Sequence, residues 1–149
     1  MPVSKKPRKK YRPKTVPGQL PTNIRHSNEA DLLLQMVPHD ELDKFRNGTA
    51  DVYTVNTLAF RLNWGYVMAG EHFDTPEART SMIEGLDAIR SVKARLERTG
   101  QYGASQLEFQ AIGVALGLTD EMQKMATRRE QRDALRAVYL INQHKANQP

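Results

Sequence analysis

The stretch TADVYTVNTLAFRLNWGYVMA, residues 49–69, decides the fold. Its apolar side chains recur at spacings of three and four, which predicts an amphipathic helix over these residues that ends at Gly70. Further apolar residues widen the surface beyond one stripe, so we expect a central helix with neighbours on two sides. The predicted stripe is Val52, Val55, Leu58, Ala59, Leu62, Tyr66 and Ala69, and it is widened by Phe60, Trp64, Val67 and Met68.

Two short helices are predicted before residue 49. Ser27 or Asn28 is a suitable N-cap for the first, because acidic residues follow in the first turn, where they complement the helix dipole. Pro38 ends that helix or restarts it at its own position, since proline lacks an N–H donor. The second short helix covers residues 39–46, and the Asn-Gly pair at 47–48 stops it.

The later helices are predicted from their end signals. Thr75 and Pro76 begin a helix that ends at Gly100, because they combine a capping side chain with proline at the first helical position. SQLE at residues 105–108 and TRRE at residues 127–130 have the spacing of capping boxes. Each of the two therefore predicts a helix start.

A break is predicted between those two capping boxes. Gly117 followed by Leu118 is typical of a Schellman close, and Thr119 is expected to cap the next helix. The last helix is expected to fray after Asn142. The inward positions of these helices are predicted to include Leu107, Ile112, Ala115, Leu116, Met122, Met125, Ala126, Leu135, Val138, Tyr139 and Ile141.

No segment alternates with the period of a strand, so the sequence predicts an all-α protein. We expect a compact bundle of about five helices over residues 28–146. A basic, proline-rich arm of residues 1–27, disordered or extended, precedes it, and residues 147–149 form a frayed C-terminus.

Charge divides the chain at the same boundary. The whole sequence has 22 Lys+Arg and 17 Asp+Glu, a formal net charge of +5. Residues 1–27 hold five Lys and three Arg without an acid (+8), whereas residues 28–149 hold 14 basic and 17 acidic residues (−3). The basic character therefore belongs to the arm, and the helical domain is mildly acidic.

Composition excludes several classes of protein. The chain has no Cys, which excludes a disulfide scaffold, a thiolate nucleophile and a zinc site with sulfur ligands. No apolar run approaches the roughly 18 residues of a transmembrane helix. No apolar segment follows the basic N-terminus, as a signal peptide requires. We therefore expect a cytoplasmic protein without a membrane partner.

The arm is the first candidate functional region. A flexible string of cations follows a phosphate backbone and releases counterions, and an aromatic side chain within it stacks on a base. The predicted DNA or RNA contacts are Lys5, Lys6, Arg8, Lys9, Lys10, Tyr11, Arg12 and Lys14. An acidic protein partner and a solvated tail without a specific role stay open, and in a eukaryote the same string is typical of a nuclear localisation signal.

A basic row near the C-terminus is the second candidate region. Residues 124, 128, 132 and 136 are four apart, so they are expected on one slowly drifting helix face. The predicted nucleic-acid contacts in this region are Lys124, Arg128, Arg129 and Arg132. The alternative is a solvated face of helical ion pairs, for example Arg129 with Asp133.

A helix-turn-helix geometry is also predicted over residues 112–126. Residues 117–119 fall where that motif places its turn, and basic side chains follow on the second helix. Gly113 and Gln123 fit the motif poorly, because it expects other residue types at those positions. DNA reading by this motif is therefore the weaker hypothesis.

Catalytic and metal-binding patterns are sparse. HDE at residues 39–41 and EHFD at residues 71–74 cluster possible metal ligands, but neither contains the i,i+4 histidine pair of a helical metal site. There is no Gly-rich phosphate loop and no nucleophile elbow. We therefore predict a protein that is not an enzyme and that needs no cofactor and no metal.

Asn56, Thr57 and Asn63 are polar residues within the most apolar helix. Three interpretations stay open for them: they line a binding groove, they form internal hydrogen bonds, or they are simply exposed. Apolar surface left over on the same helix after packing would allow it to pair with a second copy of the chain.

Three features of the chain carry a resemblance. KPRKKYRPK (residues 6–14), the Trp-bearing apolar helix and YGASQLEFQAIGVALGLTDEMQKMATRREQRDALRAVY (residues 102–139) resemble small basic proteins of unknown function encoded by phages and prophages of proteobacteria. The resemblance implies a mobile-element origin and a bacterial cytoplasm. It implies no functional residue, because such proteins have no established activity.

Two functions are compatible with these patterns. The first is a phage-type accessory protein that contacts nucleic acid through its arm and uses the helical domain as scaffold or partner surface. The alternative is a protein-binding modulator or inhibitor of a host or phage machine, which acts through the helical domain.

Overall fold

The protein is all-α, as predicted. A computed structural model describes residues 28–148, which form five helices without a strand. No helix in this range is both long enough and apolar enough to cross a membrane. The helices are α1 (Asn28–Asn47), α2 (Val52–Glu71), α3 (Pro76–Thr99), α4 (Gln106–Met125) and α5 (Arg128–Ala146).

Helix α2 is the central element and contacts each of the other four helices. Helices α3 and α4 pack against it and against each other, whereas α1 packs on α2 and α4, and α5 packs on α2. The core they enclose is apolar. Its most deeply buried side chains include Leu58, Leu62, Met68, Met82, Val92, Ile112, Leu116 and Val138.

The bounds and the inward face of α2 differ from the prediction. The helix begins after Asp51, which forms a capping box with Thr54, and it continues beyond Gly70 to Glu71. Val52 and Tyr66, predicted to face inward, are exposed. The prediction counted apolar residues alone, but the inward face of α2 also contains polar residues, including Thr54 and Arg61. The predicted stripe is therefore rotated away from the observed inward face.

Helix α1 is continuous, so the predicted pair of short helices is wrong. Pro38 lies inside it, and the residues after the proline remain helical up to Asn47. Proline removes one intrahelical hydrogen bond. Tertiary contacts hold the part of α1 that follows, because Leu42 and Phe45 are buried in the core and His39 contacts α4.

Helix α4 is also continuous, so the predicted Schellman close and the helix-turn-helix over residues 112–126 are wrong. Among residues 28–148 only Gly48 and Gly100 have a positive φ, and Gly117 therefore lacks the left-handed conformation of such a close. Thr119 caps nothing. Its buried hydroxyl donates a hydrogen bond back to Ala115 O (2.8 Å), which leaves the helix intact.

The predicted starts of α3, α4 and α5 and the predicted end of α3 are confirmed. Thr75 caps α3 with Pro76 at its first position, and Gly100 ends α3 with φ 70°. The capping boxes that begin at Ser105 and Thr127 are both present. Helix α5 extends to Ala146, four residues beyond the predicted fraying point.

Several predicted inward positions on α4 and α5 are wrong. Leu107, Met125, Leu135, Tyr139 and Ile141 are exposed, and Leu107 keeps 78% of its surface in solvent. The inward side of α5 consists instead of Gln131, Ala134 and Val138. Helix α5 packs mainly on one neighbour, α2, and therefore buries only a narrow stripe.

Candidate functional site

The predicted arm contacts, Lys5 to Lys14, lie outside the described residues. Nucleic-acid binding by the arm stays a prediction. The second predicted set can be placed, and the chain break between α4 and α5 divides it. Lys124 lies in the last turn of α4, whereas Arg128, Arg129 and Arg132 belong to α5.

The predicted single basic face is therefore wrong, because the backbone leaves the helical conformation at Ala126 and Thr127. Lys124 donates a hydrogen bond to Glu121 (2.9 Å), and this hydrogen bond raises the pKa of the lysine. Arg129 pairs with Asp133 at 3.8 Å, as predicted, and Arg132 lies 3.6 Å from the same residue.

A buried polar network joins four helices on the inner side of α2. Arg61 donates through Nη2 to Asp120 Oδ1 (2.9 Å) and to Gln123 Oε1 on α4. Its guanidinium also lies 4.7 Å from the ring centroid of Trp64. Trp64 Nε1 donates to Gln131 O on α5 (3.1 Å), and the Gln131 side chain donates to Gln123 O (3.3 Å).

Helix α1 joins the same network through the histidine of the HDE cluster. His39 Nε2 lies 2.7 Å from Asp120 Oδ2, so this carboxylate contacts both His39 and Arg61. Glu41 points elsewhere and accepts hydrogen bonds from Thr54 and Lys44 (2.8 Å each). Residues 28–148 contain no cluster of three His, Asp or Glu that would hold a metal. Through these contacts the network connects α1, α2, α4 and α5.

The opposite side of α2 faces solvent and lines two adjoining cavities. One has a volume of about 530 Å³ and follows the N-terminal half of α2, from Tyr53 to Asn63. The other, about 240 Å³, lies between the C-terminal half of α2, α3 and α5. Asn63 and Asn142 line both cavities, which makes them one continuous groove.

Five side chains of α2 form the floor of this groove, and we call them the outer row. They are Tyr53, Asn56, Phe60, Asn63 and Tyr66. The three rings keep 59%, 46% and 41% of their surface exposed in chain order. Asn63 donates to Ala59 O (2.8 Å) and also lines the groove, and Asn56 and Thr57 line it as well. The three residues therefore line a groove, Asn63 also forms an internal hydrogen bond and Asn56 is exposed, whereas binding in the groove stays a prediction.

Residue types along α2 indicate this surface in part, but they contain no signal for the network. The polar residues on an apolar helix marked the groove, but the apolar stripe assigned Tyr66 to the core. The contacts of Arg61 cannot be predicted from the sequence, because its partners Asp120 and Gln123 lie about 60 positions later in the chain. Spacing along one helix carries no information on such a contact.

Comparisons with known proteins add no relative. A scan of protein-family models, a search of curated proteins and a search of solved structures each found no match. The resemblance to phage-encoded proteins stays a prediction, and the chain's own residues are the basis for a functional proposal.

Proposed function

We propose that this protein is a non-enzymatic nucleic-acid-binding accessory protein of phage or prophage type. Its arm contacts the phosphate backbone of DNA or RNA in the bacterial cytoplasm, and the helical domain serves as scaffold. The observation that carries the proposal is the separation of charge, with +8 in residues 1–27 and −3 in the remainder. Unopposed cations bind phosphates without requiring a particular base sequence.

The ion pairs of the helical domain support this assignment to the arm. Eight of the 14 Lys and Arg residues within 28–148 form ion pairs with described acids. A cation already paired with a carboxylate gains less from a phosphate, because the existing pair must first be broken. Lys124, Arg129 and Arg132 are in this class, so we assign them at most a secondary contact.

Salt-dependent binding to a labelled DNA or RNA duplex tests the proposal. With seven cations of the arm engaged, the slope of log K against log salt on DNA is expected near about −6. Replacing Lys5, Lys6, Arg8, Lys9, Lys10, Arg12 and Lys14 by Gln in the full chain is expected to reduce the slope to near zero.

A matched control replaces cations in the helical domain. The triple variant Lys124→Gln, Arg129→Gln and Arg132→Gln is expected to change the slope by about one or less. If the arm variant kept the wild-type salt dependence and the triple variant lost most of it, nucleic-acid binding would belong to α4 and α5 instead of the arm. Weak binding by the wild-type chain to both DNA and RNA would contradict the proposal.

The alternative, a protein-binding modulator, is favoured by a separate surface on α5. Leu135, Tyr139 and Leu140 keep about half of their surface exposed on a helix that packs mainly on α2. Exposed apolar surface of this kind is typical of protein contacts. A pull-down from nuclease-treated bacterial lysate separates the two functions, because a stoichiometric protein that survives digestion supports the modulator and its absence supports nucleic-acid binding.

A further inference from the structure

The smaller cavity of the groove is an apolar pocket between α2, α3 and α5. The buried side chains of Leu86 and Val138 form its floor, and the partly exposed side chains of Ile83 and Ile141 line it near the surface. Its volume of about 240 Å³ exceeds the roughly 150 Å³ that accommodates a benzene ring in a protein interior. A flat ring of that size or slightly larger therefore fits between these helices.

Two amide side chains line the pocket and also line the larger cavity beside it. Asn63 donates through Nδ2 to Ala59 O (2.8 Å), which leaves its Oδ1 available to accept a hydrogen bond. The side-chain amide of Asn142 forms no hydrogen bond with any residue from 28 to 148, so its donor and its acceptor are both available. Such a combination of donors and acceptors matches the edge of an unpaired base, which carries both kinds of group.

An exposed aromatic ring belongs to the same pocket. Tyr66 lines it and keeps 41% of its surface in solvent, and Phe60 in the adjoining cavity is also exposed. Exposed rings stack on bases of any type, because every base has a flat π-face. A base that enters the pocket can therefore stack on Tyr66.

The charge around the groove favours an anionic ligand. Among residues 28–148, the charged side chains that line the two cavities are Arg90 and Lys145, and no Asp or Glu lines either cavity. Arg90 is paired with Asp87 (2.7 Å), whereas Lys145 is exposed and pairs with no acid in this range. A phosphate beside the pocket would therefore meet an unpaired cation, from which a neutral apolar ligand would gain nothing.

We infer that the pocket binds one unpaired base of a single-stranded DNA or RNA. Tyr66 stacks on the base, Asn63 and Asn142 contact its edge, and Lys145 contacts the adjoining phosphate. The inference rests on the proposed function and deepens it, because it gives the helical domain a contact to bases that is separate from the contacts of the arm to the backbone.

Binding of the full chain to two single-stranded oligonucleotides tests the inference. Both have about 12 nucleotides and the same number of phosphates, but one of them is abasic. The wild type is expected to bind the oligonucleotide with bases about 5- to 100-fold more tightly at equal salt, because stacking on a ring contributes this much per base. The arm variant with seven Gln substitutions is expected to bind both more weakly and to keep the preference, since the phosphates are common to both.

Substitutions in the pocket locate this preference. Tyr66→Ala and Asn142→Ala are each expected to reduce it several-fold without changing the salt dependence of binding, because neither side chain is charged. Tyr139→Ala and Gln143→Ala are the matched controls and are expected to keep it, since both residues are exposed on α5 and line neither cavity. Tyr11→Ala measures the stacking that the arm itself contributes.

The results that overturn the inference also show whether the proposed function survives. Equal affinity of the wild type for the two oligonucleotides would leave the proposed function standing, because the arm alone would then account for binding. Equal losses in Tyr66→Ala and Tyr139→Ala, or a preference lost only in Tyr11→Ala, would place the base contact outside the pocket. Weak binding of the wild type to both oligonucleotides would contradict the proposed function itself and the inference with it.

Discussion

The two sides of α2 differ in the polar groups they carry and in how deeply those groups are buried. On the inner side the guanidinium of Arg61 is almost fully buried, and it contacts Asp120, Gln123 and the ring of Trp64. On the outer side the polar groups are the neutral amides of Asn56 and Asn63, set between exposed rings. One helix thus carries a charge where water is excluded and no charge in the row that faces solvent.

This difference separates what holds the fold from what is available for binding. A buried charge is tolerated only when fixed partners compensate for its lost hydration, so the inner side ties α2 to one arrangement of α4. A neutral row of rings and amides loses less hydration on association than a row of charged side chains would. Substitutions on the inner side should therefore lower the free energy of unfolding more than substitutions on the outer side.

The largest expected effect comes from breaking the inner network at its centre. Arg61→Met leaves the buried Asp120 carboxylate without its guanidinium partner, and we expect a loss of about 3–5 kcal/mol in the free energy of unfolding, measured by urea titration. The double variant Arg61→Met with Asp120→Leu should lose less than the sum of the single variants, because neither charge is then left alone. A loss below about 1 kcal/mol for Arg61→Met would contradict the role of the network.

Glycines provide a second contrast, between a crowded and an open position. A Cβ at Gly65 would meet the Thr119 hydroxyl and would lie 2.8 Å from Met82 Cε, so Gly65→Ala should destabilise the fold by about 1–3 kcal/mol. A Cβ at Gly117 has no neighbour within 4 Å among the described residues. Gly117→Ala should stabilise α4 by about 0.4–1 kcal/mol in thermal or urea unfolding.

Gly117→Ala also tests the continuity of α4. A glycine in the left-handed conformation of a helix end resists replacement by alanine, whereas one inside a helix accepts it. A destabilising effect of Gly117→Ala would therefore contradict a continuous α4 and would support the helix end that the sequence predicted at this position.

Local signals account for the part of the fold that the sequence predicts correctly. The caps at Thr75, Ser105 and Thr127 and the end at Gly100 each depend on residues a few positions apart. Their hydrogen bonds are local, so the pattern that predicts them also contains the partners. The central position of the apolar helix followed for a similar reason, since it depends on that helix's own composition.

Tertiary contacts account for the errors. Pro38 and Gly117 are helix breakers by local preference, yet helices continue through both because the residues beyond them are held in the core. For the same reason, only part of the groove can be predicted from the sequence. Asn56 and Asn63 marked the groove by their type, while its second wall depends on where α5 packs.

The ion pair between Arg95 and Glu108 is intermediate in solvent exposure between the buried inner network and the exposed outer row. Arg95 donates to both carboxylate oxygens (2.7 and 3.0 Å) and also to Gly103 O, which fixes the α3–α4 connection. The pair lowers the pKa of Glu108 to about 2, with help from the Ser105 N–H and against the opposing effect of burial. Because the folded pKa lies below the ordinary value, this stabilisation is present at neutral pH.

Acidification should therefore remove the stabilisation by the Arg95–Glu108 pair over a defined pH range. We expect about 1–2 kcal/mol of stability to be lost as pH falls from about 4.5 toward 2, after allowance for the partial exposure of Arg95. Urea unfolding across this range, compared with Glu108→Gln, measures the effect. The variant should be less stable at pH 7 and should lose less on acidification. Parallel curves for the two proteins would exclude this pair as the source.

The smallest expected effect on folding belongs to the outer row. Asn56 is exposed and lies inside α2, where alanine is the better helix former, so Asn56→Ala should stabilise the monomer by about 0.5 kcal/mol. Urea unfolding at submicromolar protein concentration isolates this effect, because association then contributes nothing. A stabilising substitution of a polar residue is not expected at the centre of the inner network, where Arg61→Met lowers stability. A loss of monomer stability above about 1 kcal/mol for Asn56→Ala would remove the distinction between the two sides of α2.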